Sequence, residues 1–102
     1  LDQVCQTWET DLMRRIRVRA TARDYCFLGD SHVLRRSNRE ALECYDKALS
    51  LDSRHRRSLR NKVLCLIASG RSVEARQALS TYKRVVGMSE EVRQIRMMVD
   101  RM

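Results

Sequence analysis

A chain of 102 residues, 43% hydrophobic and 33% charged, has room for one domain around one modest core and is far from a disordered composition. Its net charge of +8, from 18 Arg and three Lys against 13 acids, favours an acidic protein partner or nucleic acid, or else describes an Arg-biased solvated surface. No apolar run approaches the roughly 18 residues that cross a bilayer, no signal-peptide layout is visible, and neither alternation nor an Asn-Gly or Asp-Gly turn announces a sheet.

Proline is absent and glycine occurs three times, so little interrupts helix formation and the chain reads as all-α. It starts at Leu1 and reads as a piece of a longer protein. In chain order, residues 2–19 carry Cys5, Trp8, Leu12 and Ile16 at helical steps and predict a flanking helix. A second helix is expected from Ala22 to about Leu34. A third follows from Asn38 to about Leu51, capped by Ser37 or Asn38, with Glu40 in its first turn. Arg56 to Ala68 predicts the next, ended by Ser69-Gly70. Ser72 then caps a helix that runs to Val86 and stops at Gly87. Ser89 caps a last helix with a stripe of Val92, Ile95, Val99 and Met102, for a total of about six.

Shifting the chain by 34 residues lays Ala41 on Ala75, Glu40 on Glu74, Tyr45 on Leu79 and Val33 on Ile67. Two units result, 22–55 and 56–89. Residues 1–21 are a flanking helix and 90–102 a capping or truncated-repeat helix of the same single domain. Connections of two to four residues fold each pair of helices back antiparallel.

The segment "DYCFLGDSHVLRRSNREALECYDKALSLDS" resembles a tetratricopeptide (TPR) repeat. Tyr25 takes the first bulky place, Leu28-Gly29 the Leu-Gly pair, and Ala41, Tyr45 and Ala48 the signature places of the second helix. Ser53 replaces the closing Pro and His32 a usual Tyr. In the second unit Leu59, Leu66, Gly70, Ala75, Leu79 and Tyr82 match in class, whereas Lys62-Val63 replaces Leu-Gly. The small residues Gly29 and Ala41 mark a close approach of two antiparallel helices, Ala48 leaves room for the next helix, and Tyr45 fills the gap.

The resemblance implies antiparallel helix-hairpin repeats in a right-handed superhelix that binds another protein in its concave groove. The family's groove-facing places fall on Arg23, Cys26, Asp30 and Val33, then on Arg57, Arg60, Asn61, Leu64 and Ile67. The ligand is expected to be a peptide or helix of acidic and apolar character, met by Arg forks and by Leu64 and Ile67. The subclass that clamps a heat-shock chaperone's C-terminal carboxylate is disfavoured. Its five places hold Cys26, Asp30, Asn61, Glu91 and Ile95, of which Asn61 alone fits.

Chemistry has little to work with. His32 reads as a packed imidazole and His55 as solvated, the glycines form no phosphate loop, and no nucleophile arrangement is recognisable. Cys5, Cys26, Cys44 and Cys65 show no metal spacing and read as small buried residues, which suits a reducing, cytoplasmic compartment. No cofactor, metal, enzymatic activity or membrane association is expected. Two basic clusters, Arg14 to Arg23 and Arg54 to Arg60, offer either an electropositive protein-binding face or a solvated one.

The expected function is therefore a non-catalytic scaffold or adaptor. One alternative is a small TPR-like chaperone or assembly subunit, as in bacterial secretion systems, that associates through its terminal helices. The other is a basic helical domain that binds nucleic acid.

Overall fold

The computed structural model describes residues 21–102, and these residues contain five helices and no strand. They are α1 (Ala22–Leu34), α2 (Asn38–Leu51), α3 (Arg56–Ala68), α4 (Ser72–Val86) and α5 (Glu90–Asp100). The all-α expectation stands. The sixth expected helix, over residues 2–19, lies outside the described residues, together with Cys5 and most of the Arg14–Arg23 cluster.

Local chemistry sets most helix ends. Thr21 caps α1 reciprocally: its Oγ1 accepts from the Asp24 backbone N–H at 3.2 Å and donates to the Asp24 carboxylate at 2.8 Å. At the other end Ser37 N–H bonds His32 O and Arg36 N–H bonds Val33 O, the double closure of a Schellman turn. That turn needs a left-handed residue, and Arg36 supplies it at φ 58°. Thirty-four residues on, the same closure ends α3, with Arg71 N–H to Leu66 O and Gly70 N–H to Ile67 O, and here Gly70 takes the left-handed place at φ 72°.

Three expected ends differ in detail. Arg71, rather than Ser72, is the residue at the α4 N-terminus, and its guanidinium grips Glu74 at 2.6 and 2.9 Å. Ser37 stands at the start of α2 without a side-chain capping bond. His55, expected in solvent, is half-buried and caps α3: its Nδ1 accepts from the Ser58 backbone N–H at 3.3 Å and lies 2.7 Å from the Ser58 hydroxyl. Gly87 stops α4 at φ 78°, and the Ser89 hydroxyl caps α5 by accepting from Val92 N–H at 3.3 Å.

One continuous core draws on all five helices, from Cys26 through Ala41, Tyr45, Val63, Leu66, Ala75 and Leu79 to Val92, Ile95 and Val99. Met102 is not part of it; it follows α5 and is 44% exposed. His32, expected to be packed, is half-buried.

At Gly29 the reason for the missing side chain is specific. A Cβ there would come within 2.6 Å of Tyr45 Cε1 and 2.9 Å of its Cδ1, so the ring occupies the space that a side chain would need. At the corresponding places in the second half, Val63 replaces the glycine and Leu79 the tyrosine, and both are buried. A bigger residue in the glycine's place thus goes with a smaller one in the tyrosine's place. Lys62, in the place of Leu28, pairs with Asp46 at 2.7 Å.

Each helix packs on the next in sequence. In addition α1 lies against α3 and α3 against α5, whereas α2 and α4 do not approach each other. The described residues measure 38 × 26 × 20 Å, the shortest extent being about two helix diameters.

Candidate functional site

On the α1–α3 side, one carboxylate gathers three helices. Asp30 Oδ1 accepts from the Tyr45 hydroxyl at 2.6 Å and from Asn61 Nδ2 at 2.8 Å, while Asp30 Oδ2 accepts from the Arg57 guanidinium at 3.0 Å. Asn61 Oδ1 in turn accepts from Arg60 Nε at 3.3 Å. Burial pushes the Tyr45 phenol well above the ordinary tyrosine range, and its bond to the Asp30 carboxylate pushes the same way, so Tyr45 is held as a donor.

Arg57 does two things at once. Besides pairing with Asp30, its guanidinium sits 5.1 Å from the centre of the Phe27 ring, and Arg23 lies 5.2 Å from the same ring. The Arg57 side chain is still 53% exposed, so part of its fork faces water.

Beside this network is a concavity of about 380 Å³, bordered by Asp30, Val33, Leu34, Arg57, Asn61 and Leu64 among others. Its apolar residues are uncovered: Val33 is 40% exposed, Leu34 77% and Leu64 36%.

The concavity therefore brings together Asp30, Val33, Arg57, Asn61 and Leu64 of the expected groove. The remaining places sit differently. Arg23 is exposed over Phe27 and Arg60 is half-buried. Ile67 is partly buried against the core. Cys26 is 1% exposed, and burial raises its thiol pKa, so it fills the α1 seam and presents no surface to a ligand. Asp30, expected to face a ligand, is committed to its own chain. Sequence reasoning missed Leu34 and Tyr45 as lining residues. Leu34 ends α1, where the helical stripe runs out, and Tyr45 reads from sequence as core alone.

A second concavity, of about 280 Å³, lies between α4 and α5. Its floor is Leu79, Val92 and Val99 and its rim carries Arg76, Lys83 and Arg96. An ion pair from Arg76 to Asp100 at 2.9 Å ties the two helices there. Neither place assembles reactive chemistry. Among the described residues no group of three His, Cys, Asp or Glu side chains could hold a metal ion, and no helix is long and apolar enough to cross a membrane. Cys65, like Cys26, has its thiol pKa raised by burial.

Comparison with protein-family models and with curated proteins finds no match.

Proposed function

We propose that this chain is a TPR-like interaction module that binds a segment of another protein on the face formed by α1, α3 and α5, and performs no chemistry of its own. The observation that carries the reading is the concavity in which Val33, Leu34 and Leu64 remain exposed beside polar groups already fixed by Asp30. Such a surface costs little ordering on binding, since Arg57 and Asn61 are held before a ligand arrives.

The repeat character has independent support. Helices start at 22, 56 and 90, and again at 38 and 72, each step being 34 residues. Contact of α1 with α3 and of α3 with α5, without contact between α2 and α4, supports a curved array whose first helices line the inside.

Peptides selected from a random library against the full chain test the proposal. Their binding should shift the backbone amide resonances of Val33, Asn61 and Leu64. Binders that shift α2 and α4 amides alone would move the interface elsewhere. A double charge reversal of Arg57 and Arg60 is a poor probe here, because Arg57→Glu sets a second carboxylate against Asp30.

A reading as a chaperone or assembly subunit has one observation in its favour. Met88, Met97, Met98 and Met102 are 44–54% exposed on or beside the last helix, and flexible thioethers suit adaptable contact. Light scattering on the full chain at low and high salt separates the two: a dimer or aggregate favours this reading, a monomer the first.

A further inference from the structure

The second concavity, between α4 and α5, has a counterpart earlier in the chain. Moving back 34 residues carries its walls onto the seam between α2 and α3. There Leu42 and Leu66 are buried, Leu49 packs against the core, and Lys62 of α3 reaches Asp46 of α2 at 2.7 Å. One ion pair thus ties two helices across an apolar seam.

In the later seam the same five places hold Arg76, Asp100, Lys83, Arg96 and Ser80, and all five border the concavity. Arg76 and Asp100 pair with each other at 2.9 Å. Arg96 keeps the cation of Lys62, but Ser80 stands where the answering acid stood, and its hydroxyl donates to Arg76 O at 3.1 Å. Lys83 adds a further cation in place of Leu49. Among the described residues no carboxylate pairs with Lys83 or Arg96. The floor stays apolar, with Leu79 8% exposed and Val92 and Val99 1% each.

The later seam therefore repeats the earlier one with its bridging carboxylate taken out and a second cation put in. A ligand that brings a carboxylate completes it. The planar fork of Arg96 suits two parallel bonds to such a group, and Lys83 supplies charge from the facing helix. Size then restricts the class. At about 280 Å³ the space is roughly twice that of a 150 Å³ apolar cavity that accepts benzene, and lies just under the roughly 300–1,000 Å³ of drug-sized sites. It takes a short chain or a single ring.

We propose that the cleft between α4 and α5 binds a small amphiphilic carboxylate, a medium-chain alkanoate or a one-ring aryl carboxylate. Arg96 and Lys83 hold its charged end, and its apolar part lies over Leu79, Val92 and Val99. Bound there, it ties α4 to α5 as Asp46 ties α2 to α3. The cleft shares no residue with the α1–α3 concavity, so this activity is separate from the protein-binding reading.

The test titrates octanoate into the full chain and follows backbone amide resonances together with the urea midpoint. Octanoate should shift the amides of Ser80, Lys83 and Arg96 and raise the midpoint. It should bind at least about tenfold tighter than acetate, which has no apolar part, and than octanol, which has no charge. Ser80→Asp returns the acid to the chain itself; it should raise the midpoint without ligand and weaken octanoate at least about tenfold. Thr81→Asp adds the same charge one residue away, outside the cleft, and should leave the affinity within about twofold. Arg96→Gln should lose binding, with far-ultraviolet circular dichroism confirming that each variant is folded.

Equal shifts from acetate would reduce the site to a general anion contact, and equal binding by octanol to an apolar one. Unchanged octanoate affinity in Ser80→Asp, or no shift at Ser80 and Arg96, would place the ligand elsewhere. Each of these results overturns the proposal, and tighter binding of octyl phosphate than of octanoate overturns the choice of carboxylate.

Discussion

Gly29 and Tyr45 form one packing decision shared between two helices. In a helix interior alanine is ordinarily favoured over glycine by about 0.5–1 kcal/mol. Here the added methyl would meet a ring atom at 2.6 Å, and Tyr45, 1% exposed and held through its hydroxyl by Asp30, would have to shift. Overpacking of this kind costs about 1–3 kcal/mol, so Gly29→Ala is expected to lower stability in urea denaturation despite the gain in helix propensity. Combining it with Tyr45→Leu should cost less than the sum of the two single changes, because the pair then approaches the Val63–Leu79 arrangement.

Arg36 makes the opposite case. It holds a left-handed conformation at φ 58° that Gly70 holds at the equivalent turn. Left-handed backbone costs a non-glycine residue about 1–2 kcal/mol, partly offset by the entropy that glycine adds to the unfolded chain. Arg36→Gly should stabilise the protein by about 1 kcal/mol, read as a rise in the denaturation midpoint with unchanged slope. The arginine itself hides the turn from a sequence reading, whereas Gly70 and Gly87 announce theirs.

At the level of helices, legibility followed periodicity. The steps of four and three from Ala41 to Tyr45 to Ala48, and of three and four from Val92 to Ile95 to Val99, mark buried faces. Chain punctuation likewise places the α3, α4 and α5 ends within a residue or so. What escaped was whatever depends on side chains meeting across helices. Asp30 reads from sequence as a groove acid because its donors Tyr45, Arg57 and Asn61 lie 15, 27 and 31 residues away. His55 reads as solvated because a histidine cap has no strong sequence signature.

Among the caps, that of Ser89 bears on the proposed binding face. It holds the first turn of α5, and Glu90 and Glu91 in that turn add favourable charge at the helix N-terminus. Ser89→Ala should cost about 1 kcal/mol and speed amide hydrogen exchange in the first turn of α5 ahead of that in α1 and α2.

For the whole molecule, buried phenols set an alkaline limit. Burial, followed by the bond to Glu91, pushes the Tyr82 pKa up to about 12, against about 10 in an unfolded chain. Between those values the native state keeps a proton that the unfolded state has released, so stability falls as pH rises. The contribution is complete below pH 10 and is lost as pH climbs from about 10 towards 12. Tyr45 is shifted in the same direction. Urea midpoints measured from pH 8 upward should drop beyond pH 10, and less steeply in Tyr82→Phe than in the parent chain.

α1 and α2 meet the rest of the described residues through α3 alone, for α1 touches α3, α2 packs on α3, and neither reaches α4 or α5. The third helix is therefore the hinge pin of the molecule: a load on the first two helices reaches the last two only by way of α3, and a change at either of its faces is felt by both halves at once.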